Sequence, residues 1–132
     1  MVQSPETGPH MQPYWYAHVI GIFHALMSSS HPGVKNKSQS RMEILWVHWF
    51  GVEPGWYHSG FHLARLPKIG FIKSLDEFTF TFLDPGQVIR GAHIMPAFSK
   101  GRILTLLPAT KSVARVLSPD ETDDWVNFYV NM

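Results

Sequence analysis

Two long apolar segments rich in aromatic rings constrain the fold of this chain more than any other feature. Residues 13–25 have the sequence PYWYAHVIGIFHA, and residues 42–51 have the sequence MEILWVHWFG. In both, odd and even positions alike are apolar, whereas a strand with one face in water alternates apolar and polar residues. Helix is the competing interpretation, but the β-branched and aromatic content favours strands. The pattern therefore predicts two strands covered on both faces, with Gly21 at a bend or bulge.

Proline, glycine and polar residues divide the rest of the chain. Residues 1–12 contain two prolines and few apolar side chains, which predicts a flexible segment before the domain. Residues 28–40 (SSSHPGVKNKSQS) form a polar loop around Pro-Gly, and we expect it to join the two long strands as a hairpin. Residues 61–73 are left unassigned because a proline and a glycine interrupt them. Residues 13–132 then form a single domain, since no internal repeat divides them.

The second half of the chain carries shorter signals. Residues 78–83 (FTFTFL) alternate Phe with Thr and predict a strand, which an Asp-Pro-Gly turn follows. Residues 88–98 predict a further strand that ends at Pro96. Residues 118–121 (SPDE) have the pattern of a helix N-terminus. Residues 125–130 either continue this short C-terminal helix or form a last strand.

The composition excludes several classes of protein. The chain has no cysteine, which excludes a disulfide scaffold and a thiolate zinc site and makes a reducing, intracellular compartment the expectation. Residues 1–10 lack the basic and apolar regions of a secretory signal. No apolar run approaches the roughly 20 residues of a membrane span, so no membrane partner is expected. A length of 132 residues, 45% of them hydrophobic, suffices for one core.

Charge is distributed unevenly along the chain. All 11 Lys and Arg lie in residues 1–117 beside six of the 10 acids, while the last fifteen residues hold four acids and no base. The mildly basic body permits contact with nucleic acid or acidic proteins, although an ordinary solvated surface has the same composition. The candidates for a basic contact surface are Lys35, Lys37 and Arg41 around the polar loop, and Arg65, Lys68, Arg90 and Arg102 in the body.

Aromatic side chains are too numerous for one small core. They make up 14% of the chain and include five tryptophans, so we expect some rings at the surface, where they supply binding area. The alternative is a tryptophan-rich core. Exposed rings bind a methylated ammonium by cation–π attraction, or they stack on the bases of single-stranded nucleic acid. The candidate ligand-binding residues are Trp15, Tyr16, Trp49, Trp56 and Tyr57.

Motifs of catalysis are missing from the sequence. It has no G-x-S-x-G, no glycine-rich phosphate loop and no H-E-x-x-H, so no catalytic residue, metal or cofactor is assigned. His58 and His62 have the helical spacing of metal ligands but flank a Ser-Gly pair that disfavours a helix. His18 and His48 lie within the aromatic strands, either as hydrogen-bonded residues of a barrel or as the lining of a pocket that contacts phosphate. A metal- or histidine-dependent enzyme is therefore a further alternative function, although the sequence contains no motif of such an enzyme.

Five segments carry a resemblance to a known family: PYWYAHVIGIFHA, ILWVHWFG, GFHLARLPKIGFI, FTFLDPGQVIRGAHIMPAF and WVNFYVNM. In this order they resemble a domain of large proteins from mushroom-forming fungi that are associated with Kyakuja–Dileera–Zisupton and Plavaka-type transposable elements. The resemblance implies a fungal source. His18 and His48 stand where arginine is expected in the family, and the family pattern continues beyond Met132. These departures imply a truncated domain, a degenerate copy or a short orphan derived from a larger element.

The layout of the strands is also similar to that of the bromo-adjacent homology (BAH) domain, a chromatin module with an SH3-like barrel core. The segments YWYAHVIGIF, ILWVHWFGVEP and VIRGAHIMP carry this similarity, and Trp49-Phe50 matches a Trp-Phe pair of that module. The similarity implies docking to a histone tail or a chromatin protein in the nucleus, although such analogy supports a fold better than a function.

Together these patterns predict a mostly β fold, a small, SH3-like and BAH-like, partly open barrel with long loops and one short C-terminal helix. The predicted function is non-catalytic recognition of a protein or histone-tail peptide. Nucleic-acid binding through the basic loop and aromatic stacking is the alternative. An open edge of the barrel makes a homodimer a further expectation.

Overall fold

A computed structural model of the chain describes residues 1–8, 11–28, 33, 38–53, 66–73, 76–103 and 124–131. These residues form nine strands and two short 3₁₀ helices, at Pro85–Gln87 and Phe98–Lys100. The strands are β1 (Val2–Gln3), β2 (Tyr14–Met27), β3 (Ser40–Val52), β4 (Lys68–Phe71), β5 (Phe80–Leu83), β6 (His93–Pro96), β7 (Arg102–Ile103), β8 (Asp124–Trp125) and β9 (Asn127–Asn131).

Seven of the strands in the described ranges form one antiparallel sheet that curls into an open half-barrel. Neighbouring strands follow the order β1, β2, β3, β4, β9 and β6, and β5 pairs with β3 next to β4. Strands β7 and β8 form a separate two-stranded ribbon. The predicted mostly β, partly open barrel is therefore confirmed.

The long hairpin of β2 and β3 is the centre of the sheet. The two strands pair from Tyr16 opposite Phe50 to Met27 opposite Ser40, and the register shifts between Val19 and Gly21. The two strands predicted from the aromatic segments are thus present, and the irregularity lies where Gly21 predicted it. An extra residue at such a bulge increases the local twist, which helps an open sheet to curl.

Both faces of this hairpin are covered by side chains in its inner half, at residues 16–20 and 47–50. Tyr16 and Phe50 are cross-strand partners on one face, whereas the neighbouring pair Ala17 and Trp49 is on the other, because successive residues of a strand alternate. The first face carries the larger core cluster, whose buried residues are Tyr16, Ile20, Phe50, Ile69, Phe71, Phe128 and Val130. The second face carries a smaller cluster around Val2, Val47 and Leu83. Two apolar faces explain the apolar residues at both odd and even positions in this half of the hairpin. The outer half differs, since Ile22, Phe23, Leu26, Met27 and Met42 are exposed, which corrects the prediction that both strands are covered on both faces along their length.

The residues before β2 belong in part to the sheet, which corrects the prediction of a flexible segment at residues 1–12. Val2 is buried and pairs with Trp15. The Met1 ammonium donates a hydrogen bond to the Arg90 carbonyl oxygen at 2.8 Å. A two-residue strand is too short to produce a periodic pattern, so proline and polar neighbours dominated the prediction.

The second half of the chain differs in detail from its predictions. The strand expected at residues 88–98 is present only as β6, which does end at Pro96; Val88 makes an isolated bridge to Val2. Strand β4 lies within residues 61–73, for which the sequence predicted no element. Of the two alternatives for residues 125–130, the strand is the one observed, in β8 and β9. The predicted helix start at residues 118–121 lies outside the described residues.

Within the described ranges, no helix has the length and the apolar character that crossing a membrane requires.

Candidate functional site

Two of the predicted ring residues, Trp15 and Trp49, are in contact. Their ring centroids are 5.7 Å apart, and the planes meet at 74° in an edge-to-face arrangement, which is a favoured geometry for aromatic pairs. The Trp49 indole Nε1–H donates a hydrogen bond of 2.7 Å to the Thr81 hydroxyl on β5. Because strands on both sides of β3 hold the Trp49 ring, its position is fixed before any ligand binds.

A groove of about 560 Å³ lies beside this tryptophan pair. Tyr14, Trp15, Trp49 and Phe78 bring aromatic rings to its lining. The Phe78 side chain is 70% exposed, although it is large and apolar. Rings that converge on an open groove, rather than on each other alone, are typical of a surface that binds a ligand. We call this feature the aromatic groove.

Glu6 is the one charged residue among the described residues that line the aromatic groove. The chain segment that carries it is tied to β2, because the Ser4 amide donates to the Pro13 carbonyl oxygen at 3.0 Å. The Ser4 hydroxyl in turn accepts a hydrogen bond from the Glu6 amide at 3.1 Å. The groove therefore combines the electron-rich faces of aromatic rings with a carboxylate, and both attract a cation.

The other predicted ring residues are not part of this arrangement. Tyr16 is only 4% exposed and lies in the larger core cluster, which corrects its assignment to a ring-lined binding surface. Tyr16 leaves β2 on the face opposite to Trp15, and there the larger core cluster covers its ring. Trp56 and Tyr57 lie outside the described residues.

The sequence prediction missed most residues of the groove, among them Glu6, Tyr14 and Phe78. Tyr14 directly precedes Trp15, but nothing in the sequence distinguishes a tyrosine at this position from one that packs in the core. Phe78 stands at the start of the alternating FTFTFL segment and comes just before β5. Glu6 lay in the segment predicted to be flexible. A search for acids near the aromatic strands in space, rather than in sequence, is needed to find it.

The predicted basic surface is dispersed over several elements. Lys68 is only 5% exposed and is not available as a surface contact, which corrects that assignment. Arg41 pairs with Glu43 at 2.6 Å, and the Arg102 guanidinium lies 4.7 Å from the centre of the Trp125 ring. Arg90 is exposed just before β6. Lys35, Lys37 and Arg65 lie outside the described residues.

Lys68 lies in a buried polar cluster with Glu53 and Asn127. The Asn127 amide donates to one Glu53 carboxylate oxygen at 2.9 Å, and the Lys68 ammonium is 4.0 Å from the other. The Lys68 side chain is nearly inaccessible, whereas the Glu53 side chain is 38% exposed. The cluster joins the end of β3 to β4 and β9, so its role is to hold the sheet together.

The two ends of this ion pair are expected to respond unequally to mutation. Glu53→Ala leaves the buried Lys68 ammonium without this carboxylate and removes the acceptor of Asn127, so the free energy of unfolding should fall by about 2 kcal/mol, less than for a fully buried pair because Glu53 is partly solvated. Lys68→Met leaves a partly exposed carboxylate that water solvates, and should cost less than about 1 kcal/mol. Urea denaturation measures both, and equal losses would contradict this account.

The histidines occupy different environments. His48 is fully buried, and its ring lies 4.6 Å from Phe71 and 4.4 Å from Phe80. Its Nε2 is 2.9 Å from the Ile72 carbonyl oxygen, which can only accept, so Nε2 carries the hydrogen. His48 is thus a core residue, and the phosphate-contacting pocket suggested for it is wrong.

His18 is half-buried and lines a second cavity. His58 and His62 lie outside the described residues, and among those described no three His, Asp or Glu side chains are grouped to hold a metal ion.

In comparisons with known proteins, no protein-family model, no curated protein and no solved structure matches the chain. The resemblance to the transposon-associated fungal domain and the similarity to the BAH domain therefore stay predictions from the sequence.

Proposed function

We propose that the chain is a non-catalytic recognition module that binds a peptide by enclosing a cationic side chain in the aromatic groove. The observation that carries the proposal is the edge-to-face pair of Trp15 and Trp49 beside the Glu6 carboxylate. The peptide we favour is a histone-type tail with a methylated lysine, in a chromatin or transposon-related setting in the nucleus. This choice follows the predicted similarity to a chromatin module.

The groove's composition supports a methylated ammonium over a plain one. Each ring face contributes roughly 0.5–2 kcal/mol to the binding of a cation, more when the contact is dry. Methylation keeps the charge and removes hydrogen-bond donors, so less hydration is lost when the group enters a groove lined by rings. The Glu6 carboxylate adds a charge attraction that does not depend on methylation, and it should contribute to the affinity for every cationic peptide.

Nucleic-acid binding is a weaker candidate for this groove. Glu6 would repel a phosphate backbone, while the rings alone would accept a base. Two of the cations proposed to contact phosphate, Lys35 and Lys37, are not described, and the third, Arg41, has an acidic partner in Glu43. A shift assay with single-stranded and duplex DNA across salt concentrations tests this alternative, since phosphate contacts produce a steep salt dependence.

Titration with histone-tail peptides that carry unmodified, monomethyl, dimethyl or trimethyl lysine tests the proposed function. We expect affinity to rise with methylation, by about tenfold from unmodified to trimethyl lysine. Phe78→Ala should reduce the affinity for the trimethyl peptide by about fivefold or more, because Phe78 lines the groove. Glu6→Gln should weaken all four peptides by a similar factor, since its charge attracts each of them.

The chain offers a matched control for Phe78→Ala. Phe82 is 73% exposed and lies on β5, but it does not line the groove. Phe82→Ala removes the same ring from a similarly exposed position, so it should leave peptide affinity unchanged, and both variants should remain folded by circular dichroism. Equal affinity for the four peptides, or equal effects of the two Phe variants, would overturn the proposal.

A further inference from the structure

A second cavity, of about 450 Å³, is lined by residues of both core clusters. These are Tyr16 and Phe50 of the larger cluster and Val47 and Leu83 of the smaller one. The volume of this cavity is within the usual range of small-molecule sites, roughly 300–1,000 Å³. A ligand with an apolar part would remove water from these apolar side chains, which favours its binding.

Most of the remaining lining is aliphatic, from Ala17, Val19, Leu45, Val88, Ala92 and Ile94. These aliphatic residues come from β2, β3, β6 and the segment that precedes β6, so several elements contribute to the apolar lining. Aliphatic side chains offer dispersion and burial but no specific hydrogen bonds. The part of a ligand that fills this region is therefore a hydrocarbon.

No carboxylate belongs to the described lining of this cavity, whereas Met1 and Arg90 bring cationic groups to it. His18 adds an imidazole ring. The Met1 ammonium donates to the backbone carbonyl oxygen of Arg90, so Met1 and Arg90 are neighbours in the lining, and we call this part of the cavity its basic end. Burial lowers the pKa of this ammonium from its ordinary value, because the charged form loses hydration. An anionic group at this end would replace some of that lost solvation.

We propose that this cavity binds a single-chain amphipathic carboxylate, with its medium-length alkyl chain among the aliphatic residues and its carboxylate against Arg90. The charge pattern is the reverse of that of the aromatic groove, which has an acid and no described base. The two sites therefore select ligands of opposite charge. Binding of a carboxylate does not depend on the peptide site.

Calorimetric titration with decanoate, decanol and decyltrimethylammonium tests the charge preference. We expect decanoate to bind tightest and the cationic compound weakest, because the three share the alkyl chain and differ in the head group.

Arg90→Gln should weaken the binding of decanoate about tenfold and leave the binding of decanol unchanged. Lys100→Gln removes an exposed cation that does not line the cavity and serves as the matched control. Comparable affinity for decanoate and the cationic compound, or no heat with decanoate, would overturn the proposal.

Gly91 provides a way to block the cavity while the fold is kept. It lines the cavity, and a Cβ built on it meets no atom within 4 Å. Gly91→Phe should therefore fold and reduce the affinity for decanoate and decanol alike by about tenfold, since it fills space both alkyl chains use. Gly91→Ala should leave both unchanged. Phe78→Ala should also leave decanoate binding unchanged, which separates this site from the aromatic groove. Full decanoate binding by both Arg90→Gln and Gly91→Phe would place the ligand elsewhere and refute the assignment.

Discussion

Replacing His48 by alanine is expected to lower the free energy of unfolding by about 3–4 kcal/mol, whereas His24→Ala should change it by less than about 0.5 kcal/mol. His48 is fully buried between the rings of Phe71 and Phe80, and it donates to the Ile72 carbonyl oxygen. Alanine leaves a cavity and an acceptor without its donor. His24 lies on the same hairpin opposite Glu43 and is exposed, so its loss removes little.

A second substitution separates volume from hydrogen bonding at this position. His48→Leu fills most of the space but cannot donate to the Ile72 carbonyl oxygen, so we expect a loss of about 1–3 kcal/mol, smaller than that of alanine. Urea denaturation followed by tryptophan fluorescence measures all three variants. If His48→Ala and His24→Ala have the same midpoint, His48 is not a core residue and its environment has been assigned wrongly.

The histidines show where prediction from the sequence ends. His24 and His48 both stand in apolar strands beside aromatic residues, and the local pattern does not separate them. Their environments differ because β5 pairs with β3 over Leu45–His48 and covers His48, while His24 lies nearer the tip of the hairpin. That pairing joins segments more than thirty residues apart, and no local periodicity encodes it.

The long strands were predictable for the opposite reason. Apolar residues at odd and even positions correctly predicted two covered faces for the inner half of the hairpin, and Gly21 marked the bulge. The same pattern continues into the outer half, where Ile22 and Phe23 are exposed, so it did not predict where the covering ends. Strand β4 was not predictable, because Lys68 and Gly70 lack the alternation of a strand. Burial of Lys68 depends on its polar neighbours, Glu53 at the end of β3 and Asn127 on β9.

The candidate site was predictable in part. An excess of rings over the needs of one core indicated a ring-lined surface, and Trp15 and Trp49 do meet there. Choosing Tyr16 together with Trp15 ignored that neighbours on a strand point to opposite faces. The negative charge of the groove was not predictable from the sequence, because Glu6 is brought to the groove by the short strand β1 and the hydrogen bonds of Ser4. The combination of rings and a carboxylate in the groove is thus a product of the fold rather than of any one segment.

Gly70→Ala is expected to lower the free energy of unfolding by about 2–3 kcal/mol, whereas Gly91→Ala should change it little or raise it by about 0.5 kcal/mol. A Cβ on Gly70 would lie 2.7 Å from the Asn127 side-chain nitrogen and 3.0 Å from the Val126 carbonyl oxygen. Neither atom moves aside easily, because the Asn127 side chain is bonded to Glu53 and the carbonyl is backbone. The added methyl group must therefore separate β4 from β9.

Chemical denaturation of the two glycine variants measures these changes, and hydrogen exchange locates them. In Gly70→Ala, protection should fall first for the amides shared by β4 and β9, since their pairing includes Gly70 opposite Asn127. Gly91→Ala is the matched control, because the same methyl group there enters open space. The close approach of β4 and β9 joins the last strands to the hairpin that carries the aromatic groove. If Gly70→Ala is as stable as Gly91→Ala, with unchanged protection, the two strands do not approach as closely as described and the closure of the half-barrel needs a different explanation.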